Sequence, residues 1–251
     1  MKKCMAANWK MFKTRQEAGK NAAELKALTG DKLPPDREVL IFPPFTAISA
    51  VAEAFGSTPG FEYGAQNFYP ADEGAFTGEI APDMLTDLGC SWALAGHSER
   101  RHVFQEGNEL VAEKTAFGLK KGLNIILCIG ETLEQRQNGR LENVLRQQLQ
   151  TALAECAGED TAPRLDIAYE PVWAIGTGEV ARTQDIREAH DFVRTTLQDL
   201  APDQAQQMRI LYGGSVKPGN IADIIRLDNV DGVLVGGASL SAESFSQIVL
   251  G

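Results

Sequence analysis

The chain has 251 residues, 43% of them hydrophobic, and carries a net charge of -10. This length and composition are ample for a substantial buried core. The acidic balance argues against nucleic acid as a partner, because phosphate backbones are held by clustered Lys and Arg. No window is apolar enough to span a membrane, and the apolar stretch at the N-terminus is too short for a signal peptide. We therefore expect a cytoplasmic protein that contacts neither membrane nor nucleic acid.

Eight short apolar runs recur along the chain and predict strands. They are Cys4–Ala7, Val39–Phe42, Phe61–Gly64, Trp92–Ala95, Asn124–Ile129, Leu165–Tyr169, Arg209–Tyr212 and Gly232–Val235. Helical stripes lie between them, the clearest being the leucines at 141, 145, 149 and 153. Strands that alternate with helices run parallel, and apolar runs without polar alternation are buried on both faces.

Eight such repeats predict an α/β protein with one closed (β/α)8 barrel, a single domain over residues 1–251. The rival is an open, doubly wound sheet. It is disfavoured because no GxGxxG pattern follows the first run and no Pro/Gly/Ser-rich linker divides the chain.

Polar side chains follow three of the predicted strands. Asn8 and Lys10 follow the first, and His97 follows the fourth. Glu170 follows the sixth, which must stop there because Pro171 cannot donate a ladder hydrogen bond. Taken singly, each charged residue has a plainer interpretation as a surface side chain, and the histidine as a structural one. In a parallel barrel, however, all strand ends meet on one face, where functional groups collect.

A helical turn that begins after His97 would present free N–H groups and the positive end of its dipole. Both disfavour an imidazolium, so we expect a neutral imidazole that donates a hydrogen bond. The other histidines give weaker signals: His190 lies on the apolar stripe of a late helix and is interpreted as structural, and His102 is left unassigned.

Paired glycines follow the last two strands. Gly213-Gly214 precedes Ser215, and Gly236-Gly237 follows the eighth run. Bare backbone N–H groups at these two neighbouring strand ends are typical of a phosphate site in such barrels. Gly176, in the loop after Glu170, is a third possible source of N–H groups. The pattern favours a small substrate that carries phosphate.

Metal and redox chemistry have little support. The four cysteines form no CxxC pair or zinc-finger spacing and lie mostly in apolar surroundings, so we expect buried, reduced thiols. The three histidines form no HExxH pattern. The sequence predicts no metal and no other cofactor.

Together these strand ends supply a single base, a neutral imidazole, a cation and a phosphate-binding site. This combination is typical of an enzyme that abstracts a proton from the carbon beside a carbonyl. Five segments, in chain order, resemble the triosephosphate isomerase family: Asn8–Lys10, Gly96–Arg100, Ala168–Gly178, Tyr212–Ser215 and Gly236–Gly237. The resemblance implies a TIM barrel. It also implies the interconversion of dihydroxyacetone phosphate and D-glyceraldehyde 3-phosphate through an enediol or enediolate, in glycolysis and gluconeogenesis.

The resemblance assigns the roles at the site. Glu170 would carry the proton between two carbons, and His97 would polarise the carbonyl and move protons between the oxygens. Lys10 and Asn8 would stabilise the negative charge that develops there. The phosphate would be held by Gly176, Ser215, Gly236 and Gly237.

The same resemblance implies a lid from Pro171 to about Ala181 that closes over the substrate. Ile175 on the lid and Leu234 would press apolar surface against Glu170 and raise its proton affinity by desolvation. The lid departs from many relatives in one place, where Glu179 stands instead of a lysine. We expect at most a modest effect, because hinge residues act through the populations of backbone conformations.

Supporting positions are also implied by the resemblance. Ser98 would be a resting partner for Glu170, and Glu99 would lie near Lys10. The plainer interpretation of Glu99 is an exposed carboxylate in the first turn of a helix, favoured by the helix dipole.

The segment from Gln66 to Glu79 resembles the loop through which family members form homodimers. Phe68, Tyr69 and Phe76 in this loop would otherwise be costly to expose. By the same resemblance Thr77 would reach the partner's site and support the polar residues after its first strand.

Three other functions compete with proton transfer on a triose phosphate. A metal-assisted sugar-phosphate epimerase needs ligands at several strand ends, whereas His97 is the one histidine at such an end. A phosphate-binding barrel without catalysis has no need of Glu170, His97 and Lys10 together. A glycoside hydrolase needs two facing carboxylates, and only Glu170 is well placed.

Overall fold

A computed structural model describes residues 1–156, 162–175 and 179–251. Eight strands, β1 to β8, occur in these ranges. Their bounds are Lys3–Asn8, Arg37–Phe42, Phe61–Ala65, Trp92–Ala95, Asn124–Ile129, Leu165–Tyr169, Ile210–Tyr212 and Gly232–Val235. Each predicted run is confirmed as a strand, with bounds shifted by at most two residues.

The strands form one closed parallel barrel in the order β1 to β8. Closure is visible at Ala7 of β1, which pairs with Ile41 of β2 on one side and Val235 of β8 on the other. A closed sheet has no free edge, so every strand finds two partners. The predicted (β/α)8 barrel is confirmed, and the rival open sheet is wrong.

Helices follow most strands and cover the outside of the barrel. Those in the described residues, α1 to α10, are Arg15–Thr29, Ile48–Phe55, Pro82–Asp87, Ser98–His102, Asn108–Lys120, Leu133–Gln137, Leu141–Glu155, Thr183–Leu200, Ile221–Ile224 and Ala242–Leu250. The leucine stripe falls on α7, where Leu145 and Leu149 are fully buried. None of these helices is long and apolar enough to cross a membrane.

Alternation along the strands decides which side chains point into the barrel. On β6, Asp166 and Ala168 face inward, and Glu170 continues that face just beyond the strand end. On β1, Cys4 and Ala6 face inward, and Asn8 continues that face. Because side chains alternate between the two faces of a strand, the polar residues at these strand ends point toward the axis of the barrel.

The opposite end of the barrel is closed by a buried ion cluster. The Arg209 guanidinium lies 2.7 Å from the Asp166 carboxylate and 2.6 Å from that of Glu38. Arg209 also stacks over the Trp92 ring. Burial raises the pKa of Asp166 to about 6, against the lowering effect of Arg209. This cluster lies at the strand starts, on the far side of the barrel from the strand ends.

The loop that follows β3 differs from the expectation drawn from its aromatic residues. Phe68 is fully buried within the chain's own core, so its burial needs no partner. Tyr69 and Phe76 pack together with ring centroids 4.5 Å apart, and Phe76 remains 44% exposed. The argument that exposed aromatic residues on this loop indicate a dimer interface is therefore wrong for Phe68, and it still applies to the partly exposed Phe76. All four cysteines are free and buried, as predicted.

Candidate active site

The strand ends open onto one cavity of about 550 Å³. Ten predicted site residues line it: Asn8, Lys10, His97, Glu99, Glu170, Ile175, Ser215, Leu234, Gly236 and Gly237. Ser98 lies beside it, in contact with Glu170. Thr77 is exposed on its loop and does not line this cavity. Gly176 lies outside the described residues.

Glu170 is fixed at the end of β6, where its N–H donates to the carbonyl of Ile129 at 2.7 Å. The residue is 2% exposed. One carboxylate oxygen accepts the Ser98 N–H at 2.9 Å, and the other lies 3.0 Å from His97 Nε2. A buried carboxylate normally pays heavily for desolvation, and these donors offset that cost.

Polar contacts decide the electrostatics of Glu170 in this structure, and the rise in proton affinity expected on lid closure stays a prediction. Burial raises the pKa of the Glu170 carboxyl, but contacts with His97, the Ser98 N–H and Lys10 outweigh it and hold the pKa below its ordinary value. The expected apolar neighbours, Ile175 and Leu234, do line the cavity. In this arrangement Glu170 is ionised at neutral pH and has the charge state of a base.

His97 immediately precedes helix α4 and occupies its N-cap position. Its Nδ1 accepts the Glu99 N–H at 3.2 Å, so this nitrogen carries no proton. The proton therefore lies on Nε2, which donates to Glu170. This geometry agrees with the neutral, donating imidazole expected from the sequence.

Lys10 has a left-handed backbone with φ of 51°. This conformation costs a non-glycine residue about 1–3 kcal/mol and persists only where the surroundings hold it. Asn8 Oδ1 accepts the Lys10 N–H at 2.9 Å, and Gln66 Nε2 donates to the Lys10 carbonyl at 2.8 Å. The Lys10 ammonium lies 2.7 Å from the Glu99 carboxylate. Glu99 is also in the first turn of α4. Both interpretations of Glu99 are thus compatible with its position.

Sequence reasoning missed this second role of Gln66, which was taken only as the start of a dimer loop. The same side-chain nitrogen also donates to the carbonyl of Phe42, at 2.9 Å. Gln66 therefore ties the ends of β1 and β2 together. The available signal was its position directly after β3, the same placement that singled out the polar residues after β1, β4 and β6.

Glycines also make room for the base, a role the sequence analysis did not assign. A Cβ on Gly213 would lie 2.8 Å from Glu170 Cγ, and one on Gly130 would lie 1.8 Å from the Glu170 carbonyl oxygen. On Gly236 it would lie 3.2 Å from Lys10 Cε. Gly237, by contrast, has nothing within 4 Å of such an atom and leaves its backbone open to the cavity.

The segment after Glu170 is anchored by a second buried carboxylate, Glu131. It accepts hydrogen bonds from Trp173 Nε1 at 2.9 Å, Tyr169 Oη at 3.2 Å and Arg136 at 3.1 Å. Its carbonyl accepts the Val172 N–H at 3.1 Å. Burial raises the pKa of Glu131 despite these donors. The start of the predicted lid is thereby attached to the loop after β5.

Cys128 lies on the inward face of β5 and is fully buried. Burial and the neighbouring Glu170 carboxylate raise its pKa well above the ordinary thiol value. The protonated thiol is a poor nucleophile and a small apolar packing group. Cys128 therefore packs in the wall behind Glu170 as a protonated thiol.

A parallel barrel with an ionised buried carboxylate, a donating neutral imidazole, a lysine and glycine-rich loops at one cavity defines an enzyme of the proton-transferring class. The family model described as triosephosphate isomerase matches residues 3–250. The chain belongs to the triosephosphate isomerase family. The resemblance found in the sequence is thus confirmed.

Individual relatives agree over their full lengths. The chain is 61% identical to the triosephosphate isomerase of Oleidesulfovibrio alaskensis and 59% identical to that of Nitratidesulfovibrio vulgaris strain Miyazaki F, in both cases over 100% of each chain. It is 51% identical to the triosephosphate isomerase of Lawsonia intracellularis, over 99% of this chain and 98% of the relative.

Proposed function

We infer that the chain is an isomerase that interconverts dihydroxyacetone phosphate and D-glyceraldehyde 3-phosphate, with Glu170 as the base. Family membership supports the reaction. The observation that carries the residue roles is the 3.0 Å contact between the buried Glu170 carboxylate and His97 Nε2, in the cavity that Lys10 also lines. Base and electrophile thus adjoin one space that a small carbonyl compound can enter.

The reaction follows from these positions. Glu170 removes a proton from the hydroxyl-bearing carbon of dihydroxyacetone phosphate, and that C–H electron pair forms the C=C bond of the enediol. The carbonyl electron pair moves to oxygen, which receives a hydrogen bond and then a proton from His97 Nε2. Glu170 returns its proton to the neighbouring carbon while His97 recovers its own from the other oxygen.

Lys10 and Asn8 stabilise the negative charge on the reacting oxygens. The Asn8 Oδ1 is occupied by the Lys10 N–H, which leaves the amide nitrogen to donate into the cavity. In the resting site Glu170 is held by Ser98 and His97. The substrate carbonyl must replace the carboxylate as the acceptor for His97.

The phosphate group binds at the loops after β7 and β8, to Ser215 and to the backbone of Gly236 and Gly237, with Gly176 of the lid completing the grip. Residues 215, 236 and 237 share the cavity with the base. Backbone N–H groups bind phosphate without a full countercharge. The mechanism uses no metal and no other cofactor.

The chain acts as a single domain, as a homodimer and in the cytoplasm. Dimerisation through the loop from Gln66 to Glu79 is supported by the exposure of Phe76, and Thr77 would then reach the partner's site. Other exposed apolar side chains on strand-end loops are Met11, Phe45 and Phe104. Four buried free cysteines suit a reducing compartment.

The test supplies dihydroxyacetone phosphate to metal-free protein and couples the product to a dehydrogenase. Glu170→Asp withdraws the carboxylate by about 1 Å, and a misplacement of this size costs about 100-fold in kcat. Glu142→Asp, on an exposed face of α7, is the matched control and should behave as wild type. Activity that disappears with a chelator, or that survives Glu170→Asp unchanged, would contradict the mechanism.

A further inference from the structure

The charges that line the cavity are unevenly paired. Two cations, Lys10 and Lys217, and two carboxylates, Glu99 and Glu170, lie on its wall. Lys10 is committed to Glu99 at 2.7 Å. Among the described parts of the chain, no carboxylate lies within 4.0 Å of the Lys217 ammonium. Of the two lysines on the cavity wall, Lys217 is therefore the one whose positive charge is not paired with a carboxylate in the described residues.

This charge matters because the rest of the protein repels the substrate. The chain carries a net charge of -10, while a phosphate monoester carries about -1.5 to -2 at neutral pH. The two lysines and two glutamates on the wall sum to zero net charge with Lys217 and to one negative charge without it. Backbone N–H groups supply only partial charges.

The backbone of Lys217 is held in the loop after β7, which also contains the predicted phosphate-binding residue Ser215. Asn220 Oδ1 accepts the Lys217 N–H at 2.7 Å, and Asn220 Nδ2 donates to the Ser215 carbonyl at 3.1 Å. One side chain thus ties the lysine to Ser215, two residues earlier. Lys217 lines the cavity and is exposed, so its side chain can meet the phosphate at the entrance without breaking an ion pair.

We propose that Lys217 is a substrate-binding residue whose ammonium attracts and holds the phosphate group at the mouth of the cavity. The inference rests on the proposed function and extends it to a residue outside the assigned site. Lys217 adjoins the phosphate end of the cavity, where Ser215 and Gly237 lie, and takes no part in proton transfer. It therefore acts equally on the ground state and the transition state, which changes KM and leaves kcat alone.

The test compares Lys217→Gln with Lys217→Arg and with Lys20→Gln, which removes the same charge from an exposed position on α1. Lys217→Gln should raise KM about three- to tenfold at low salt, with kcat within about twofold of wild type. The difference should shrink as salt approaches about 0.5 M, because an exposed charge is screened. Lys217→Arg and Lys20→Gln should stay near wild type, and inhibition by inorganic phosphate should weaken in Lys217→Gln by the same factor as KM.

An unchanged KM in Lys217→Gln overturns the inference, as does an equal rise in Lys20→Gln, which would assign the effect to net charge. Slower turnover of unphosphorylated glyceraldehyde in Lys217→Gln also overturns it, because that compound has no phosphate to bind. If wild type lacks isomerase activity, the proposed function fails instead. Inorganic phosphate binding measured by calorimetry then judges Lys217 separately: equal affinity in wild type and Lys217→Gln refutes its role.

Discussion

Gly213 lies against the side chain of Glu170, and Gly213→Ala tests how accurately the base must be placed. The added Cβ would lie 2.8 Å from Glu170 Cγ and 3.2 Å from the Tyr169 carbonyl oxygen. An ordinary contact begins at 3.4 Å, so Glu170 Cγ must withdraw by about 0.6 Å, the difference between 3.4 and 2.8 Å. A displacement of about 1 Å costs about 100-fold in rate. We therefore expect kcat to fall at least tenfold, or about 1.4 kcal/mol.

The assay is steady-state turnover of dihydroxyacetone phosphate, with thermal unfolding recorded on the same samples. Gly219→Ala is the matched control, because a Cβ there meets nothing within 4 Å. It should retain wild-type kcat. A Gly213→Ala enzyme that is folded and turns over within twofold of wild type would refute the reasoning, since it would show that the base tolerates the displacement.

Three further predictions concern other parts of the chain. Glu179→Lys, at the far end of the lid, should change kcat by less than about tenfold, because the residue acts on opening and closing; lid exchange rates and turnover measure this. Burial lowers the pKa of His190 to about 4 from an ordinary 6.5, so its contribution to stability is complete above pH 6.5 and is lost as pH falls from 6.5 to 4. Over that window the unfolding free energy of wild type should fall by about 3 kcal/mol relative to that of His190→Phe, as measured by thermal melts of both proteins. Arg209→Met should cost about 3–5 kcal/mol of unfolding free energy, because it leaves Asp166 buried without its partner, and Arg209→Met/Asp166→Asn should recover part of it in denaturant titrations while kcat is unchanged.

The barrel was predictable because its strands are buried on both faces. A parallel strand that is covered on both faces is mostly apolar, as at residues 125–129 of β5, and this pattern is visible without any knowledge of partners. The count of eight then favours closure. The strand ends were predictable for a related reason: Pro171 and the glycine pairs mark where pairing stops, and polar residues there have one face to occupy.

Contacts between distant segments were not predictable from pattern alone. Phe68 looked like an exposed aromatic because a loop has no periodicity that separates core from surface. Gln66 contacts Lys10, and Gly213 lies against Glu170, only because the closed barrel brings their strand ends together. The direction of the Glu170 pKa shift depends on His97, Ser98 and Lys10, which follow β4 and β1 and are absent from the sequence around Glu170.

The left-handed backbone at Lys10 limits how this protein can be improved. Glycine would relax that backbone but remove the ammonium, whereas any other L-residue would keep the strain. Protein engineers who seek a more thermostable variant should therefore leave residue 10 and its two clamps, Asn8 and Gln66, untouched.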